Sequence, residues 1–213
     1  MNKNFRKVLA FPYILWMIGF TIIPLSLIFI YGLTDKSGSF TLSNVLSIFA
    51  KDHFKALLLS IALSVISTVI CLVMAFPLAL TLKGKKLNKG SLIVFIFILP
   101  MWMNFLLRTL AWLSLLEKNG IINTILHFLH LPGLNIINTP AAIVLGMVYN
   151  YLPFMVLPIY NVLEKIDDNT INAARDLGAN TMQTITKVII PLSIPGIVSG
   201  ITMVFVPALT TFV

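Results

Sequence analysis

Few side chains in this sequence are equipped for chemistry, and they do not assemble into a catalytic set. His127 and His130 are three apart and could share one helix face, but no carboxylate or cysteine accompanies them, so most of a metal-ligand set is missing. The lone cysteine, Cys71, lies in an apolar run and can form no intramolecular disulfide; such a residue serves as a small packing group. A G-x-x-x-x-G-K-[ST] phosphate loop, a histidine–glutamate metal motif and a serine elbow are all absent. The sequence therefore points away from an enzyme, with no catalytic residue, no metal site and no cofactor held by this chain. What remains is a polar and aromatic set inside otherwise apolar runs: Trp102, Asn104, Arg108, Tyr149, Asn150 and Tyr151. An amide in hydrocarbon is costly unless paired or facing water. Asn104 and Asn150 are accordingly candidates either to line a translocation path or to make interhelical hydrogen bonds. The Trp and Tyr side chains belong either to that path or to the aromatic belt at the interface.

The elements that must carry these residues follow from hydropathy. Of 213 residues, 58% are hydrophobic and only 10% charged, against about 25% charged in soluble domains. The chain reads as an all-α polytopic membrane protein, because helices keep every backbone hydrogen bond internal and the alternating pattern of a barrel is missing. Spans are expected at residues 8–33, 54–82, 91–116, 140–163 and 190–213, within a single transmembrane domain of residues 1–213. The first is too long for a cleaved secretory signal and lacks its small-residue site. Between the third and fourth, Ile121, Ile122, Ile125, Leu126, Phe128 and Leu129 recur at near-helical spacing. They predict a short amphipathic helix on the membrane surface, ended by Leu131-Pro132-Gly133. Five spans are expected and no sixth.

A net charge of +8 would suggest nucleic acid for a soluble protein, but here the basic residues cluster in short loops and report topology, so no nucleic-acid partner is expected. With the N-terminus inside, the cytoplasmic side holds Lys3, Arg6, Lys7, Lys83, Lys85, Lys86, Lys89, Lys165, Arg175 and Lys187, and the outer side Lys36, Lys51, Lys55 and Lys118. The seven acidic residues all fall in the expected loops, which argues against an ion-coupled carrier with a mid-membrane carboxylate. Apart from Lys55 at the edge of the second span, Arg108 is the one charge within a span. It lies nineteen residues beyond Lys89, about 28 Å along a helix. There it can either snorkel to the outer surface or line a polar path.

Residues 164–190 form a cytoplasmic hairpin of two short helices. Asp167 or Asp168 caps the first, Gly178 supplies a left-handed stop, and Asn180 or Thr181 caps the second, which runs to Pro191. Ile171, Ala174 and Leu177 recur every three residues as a narrow apolar ridge. A ridge facing the cytoplasm is covered by a partner or lies on the inner face of the membrane.

Asn172-Ala173-Ala174-Arg175-Asp176-Leu177-Gly178, then nine residues, then Val188-Ile189-Ile190-Pro191 resembles the E-A-A-x-x-x-G-x9-I-x-L-P signature of ABC importer permeases. The spacing is kept, with Asn172 where the family usually has Glu. The stretch Leu99-Pro100-Met101-Trp102-Met103-Asn104, continuing Phe105-Leu106-Leu107-Arg108-Thr109-Leu110-Ala111-Trp112, is similar to the L-P-x-W-x-N-x-x-x-R-T-x-A-W run of spermidine/putrescine permeases in that family. The resemblance implies a six-helix type I importer fold, of which five spans are present and the C-terminal one is lacking, so that the chain is truncated. It also implies an ABC ATPase subunit that binds ATP and Mg, a second permease subunit, an extracytoplasmic substrate-binding protein and a bacterial membrane lipid environment. By the same resemblance Asn172, Ala173, Ala174, Asp176, Leu177, Gly178 and Pro191 belong to the segment that couples to the ATPase. Polyamine import is the function implied; import of another small solute, or a non-transporting membrane anchor, are the rivals.

Overall fold

The computed structural model describes residues 11–35, 37–84 and 102–211. Apart from one isolated antiparallel bridge between Thr34 and Phe40, its regular structure is helical. Among the described residues four helices are long and apolar enough to cross a membrane: Phe11–Gly32 (α1), Lys51–Gly84 (α3), Pro140–Glu164 (α6) and Thr181–Thr210 (α8). Shorter helices lie between them in the chain: Ser43–Leu46 (α2), Phe105–Leu116 (α4), Ile121–Phe128 (α5) and Asp168–Asp176 (α7). The expected span at 91–116 lies outside the described residues up to position 101; among the described residues it holds a helix that starts at Phe105. Asn104 sets that start: its backbone is extended, and its side chain accepts from the amides of Leu106 and Leu107 as an N-cap.

The chain divides into two compact units, Met1–Leu58 and Leu59–Val213. In the first unit, no residue of α1 is buried, as befits a helix whose apolar side chains meet lipid or another chain. Its C-terminal carbonyls find a local partner, since the Asn44 side-chain amide donates to Tyr31 O at 3.2 Å and Thr34 O at 3.0 Å. The turn that brings Asn44 back uses Gly38 at φ +79°, a left-handed conformation that suits glycine.

The second unit is built on α6, which packs against α3 on one side and α8 on another. Helix α3 turns small residues inward: Ser60, Ser64, Ser67, Cys71, Ala75 and Ala79 recur along one face and are all buried. Ser67 Oγ meets Met147 Sδ at 3.2 Å, and Ser64 and Thr68 return their hydroxyls to carbonyls one turn back in their own helix. Helix α8 buries Ser193, Gly196, Gly200, Val204 and Ala208. A Cβ on Gly196 would come 2.8 Å from Pro158 O, and one on Gly200 would come 2.7 Å from Met155 Sδ. Helix association in membranes rests on packing of this kind, and two glycines four apart let the backbones approach. The core between the three helices is completed by Met155, Val156, Ile159 and Leu163 of α6 and Ile189 of α8.

The second hairpin helix and the final span, expected as separate elements meeting near residue 190, form the single helix α8. They are joined by a π turn at Ile185–Ile189. A second π turn, Ile18–Ile22, interrupts α1. Each ends two residues before a proline, Pro191 and Pro24 respectively. A proline lacks the N–H and its ring presses on the carbonyl four residues back; the wider turn gives that carbonyl room without ending the helix.

Candidate functional site

Two places in the second unit hold the residues singled out from sequence. The first is the hairpin after α6. Asp167 is the cap of α7, its carboxylate accepting from Asn169 N at 3.0 Å, while Asp168 is the acidic residue of the first turn. The far end closes as a double turn: Gly178 N donates to Arg175 O at 2.9 Å and Ala179 N to Ala174 O at 3.0 Å. Gly178 stands at φ +86°, where a Cβ would be strained. Asn180 then caps α8 with a reciprocal box, Gln183 N donating to Asn180 Oδ1 at 2.9 Å and Asn180 N to Gln183 Oε1 at 3.0 Å. The hairpin is thus shaped almost wholly by backbone and capping bonds inside itself.

The expected ridge of Ile171, Ala174 and Leu177 divides. Ile171 is half-buried against the core of α3, α6 and α8. Leu177 is 89% exposed, and Met182 across the bend is 69% exposed. The reason is geometric: Leu177 ends α7 and follows the turn rather than the helix face that packs inward. Asn172, Ala173 and Asp176 are also exposed, and Pro191 is exposed at the start of the final straight stretch of α8.

Lys83, at the end of α3, reaches this hairpin. Its Nζ donates to Ile166 O at 2.7 Å and lies 4.0 Å from Asp168 Oδ1, with the side chain 13% exposed. A cleft of about 490 Å³ opens beside it, lined by Lys83, Asp168, Asn172, Arg175 and Thr181 among others.

The second place is a cavity of about 390 Å³ among α4, α6 and the end of α8, whose lining includes Thr109, Trp112, Asn138, Asn150, Tyr151 and Thr211. Arg108 lies next to it and is buried, at 8% exposure. Its guanidinium donates to Asn150 Oδ1 and to Met103 O, both at 2.9 Å, and its Nε has no partner among the described residues. The pairing, which joins α4 to α6, offsets part of the desolvation that burial imposes. Trp112 packs edge-on against Tyr149, with ring centroids 5.1 Å apart, and Tyr151 Oη lies 2.7 Å from Thr211 Oγ1.

The six residues named for a path therefore separate. Asn150 and Tyr151 line the cavity, Arg108 braces it and Tyr149 backs it, whereas Asn104 is occupied as a helix cap and Trp102 is 74% exposed. Sequence reasoning passed over four features. The Gly196–Gly200 pair was readable as two glycines four apart in an apolar run. Lys83 looked like one more topogenic lysine. Asn123 is buried and pins the segment after α5, its side chain donating to Glu117 O and Leu134 O, both at 2.9 Å. Gly120 makes the α4–α5 turn, where a Cβ would sit 2.5 Å from Ser114 O.

Over residues 5–213 the sequence matches the family described as binding-protein-dependent transport system inner membrane component. The chain belongs to that family, and is a membrane protein of the permease class. It is 35% identical to the spermidine/putrescine transport system permease protein PotB of Haemophilus influenzae, over 100% of this chain and 77% of that protein. The protein of the same description from Escherichia coli K12 is 37% identical, over 92% of this chain and 74% of its own length. A homolog of PotB from Mycoplasma genitalium is 30% identical over 99% of this chain. The fold is shared with the bacterial alginate ABC transporter crystallised in complex with a pentasaccharide-bound periplasmic protein, at a TM-score of 0.75 over 91% of this chain and 68% of that one. At 18% identity that likeness concerns the fold alone.

Proposed function

We propose that this chain is the transmembrane permease subunit of an ATP-driven importer of polyamines, delivered by an extracytoplasmic binding protein. The observation that carries the reading is α7 and its turn: a short exposed helix, fixed in shape by its own caps, bearing Asn172, Ala173, Ala174 and Gly178 at the spacing of the coupling signature. The small Ala173 leaves its backbone accessible, and Leu177 offers an apolar knob for a cleft on an ATPase subunit. ATP and Mg belong to that subunit, so this chain is not itself an enzyme. The relatives' names supply the substrate class, since the chain's own residues select no particular solute.

The arrangement that fits this role has the N-terminus and the hairpin of residues 164–190 in the cytoplasm of a bacterium. It places five spans of a type I importer fold in the inner or plasma membrane, paired with a second permease subunit. Arg108, Tyr149, Asn150 and Tyr151 then border the translocation path, and the exposed Ile121, Ile125 and Phe128 of α5 rest at the outer interface. The reading is tested by reconstituting the full complex in proteoliposomes and measuring ATP-dependent uptake of radiolabelled spermidine and putrescine. Wild type takes them up; Gly178→Leu retains little uptake and loses association with the ATPase. Unchanged association and unchanged transport-coupled hydrolysis in Gly178→Leu would overturn the coupling role.

A further inference from the structure

We propose that Lys83 is a positioning residue that ties the end of α3 to the coupling hairpin, so that a movement of α7 is carried into α3 as well as into α8. The inference rests on the ATP-coupled reading given above. Three observations carry it. Lys83 Nζ donates to Ile166 O at 2.7 Å; Ile166 lies in the corner between α6 and α7, just past the end of α6 at Glu164. The same ammonium lies 4.0 Å from Asp168, in the first turn of α7. Its side chain is 13% exposed, so the bond is shielded from the water that weakens surface pairs.

The rest of the local packing shows why one side chain matters. Helix α7 is joined covalently to α8 by the turn at Gly178, and this attachment is stiffened by the Asn180–Gln183 box. No such chain connection runs from α7 to α3. Ile171 contributes apolar packing against the common core, which tolerates sliding because it is not directional. The lysine bond is directional, and it reaches a backbone oxygen of the α6–α7 corner. A push on Leu177 and its neighbours by a partner therefore reaches α8 through the backbone and α3 through Lys83.

The test uses the full complex in proteoliposomes. Lys83→Met keeps most of the stem volume and removes the charge, and Lys83→Arg keeps a cation of similar reach. The expected result for Lys83→Met is normal assembly and normal basal ATP hydrolysis, with polyamine imported per ATP falling about tenfold, as for loss of one charge-assisted hydrogen bond. Lys83→Arg recovers most of the loss. A wild-type import ratio in Lys83→Met overturns the proposal, and so does a joint loss of assembly and basal hydrolysis that Lys83→Arg fails to rescue. A second measurement does not depend on the transported solute. Spin labels at Thr81→Cys and Asn169→Cys report the α3–α7 distance, and the only native cysteine, Cys71, is fully buried. With Lys83 present, the distance stays single and narrow when ATP is added; in Lys83→Met it broadens or shifts. Identical distributions in the two backgrounds overturn the proposal. A wild-type complex that hydrolyses ATP without importing polyamine counts against the substrate class, while the label distances still decide the role of Lys83.

Discussion

The α6–α8 seam and the α7 hairpin, joined by a few residues, are held together by different physics. The seam depends on what is missing from side chains: Gly196 and Gly200 bring the helix backbones close, and a Cβ at Gly196 would meet Pro158 O at 2.8 Å. The hairpin depends on backbone groups and short polar caps, at Asp167, Gly178 and Asn180, while its outward side chains touch little. A seam of close-packed small residues has no room to give. A capped helix with free side chains can change its surface without changing its shape. The first makes a rigid element, and the second makes a surface whose shape is independent of its side chains.

Substitutions test this contrast. Gly196→Leu has the largest expected effect, since the obstructing atom at 2.8 Å is backbone oxygen and cannot swing aside. It should lower stability by about 3 kcal/mol or more, read as a fall in thermal unfolding temperature of the detergent-purified chain. Next comes Asn150→Leu, which takes the side-chain acceptor from the buried Arg108 guanidinium and should cost about 2–3 kcal/mol by the same assay. Gly178→Leu, strained at φ +86°, should cost about 1–2 kcal/mol, far less than its effect on ATPase association. Leu177→Ser lies at the small end for stability. With the residue 89% exposed, unfolding should shift by less than about 0.5 kcal/mol. Leu177→Ser should nonetheless weaken ATPase binding in a pull-down. A Leu177→Ser protein that unfolds early but binds normally would reverse the contrast between seam and hairpin.

The polar cavity falls between these extremes, and it shows where sequence reading stops. That Asn104 and Asn150 could not stay unpaired in hydrocarbon was legible from residue type alone. Which of them would be consumed by backbone was not: Asn104 caps α4, and Asn150 receives Arg108 from 42 positions away. Lys83 is a similar case. Its place among basic residues marks a membrane boundary, but its bond to Ile166, 83 positions on, has no trace in local pattern. By contrast the left-handed stop at Gly178 and the capping residues of the hairpin belong to bonds spanning five residues or fewer, so they could be named as a short set of candidates in advance.

Residue pattern was enough for the solvent, the helical class and the capped hairpin of residues 164–190. Long apolar runs admit only self-satisfied helices, and capping chemistry is written within a few neighbouring residues. Helix packing settles the rest: Ile171 turns inward while Leu177 stays out, Arg108 is buried against Asn150, and the second hairpin helix runs on through Pro191 as part of α8. Each of these depends on which helix faces meet. In a chain this uniformly apolar, hydrophobicity alone does not tell a lipid-facing side from a packed one; small residues and directional bonds make the distinction.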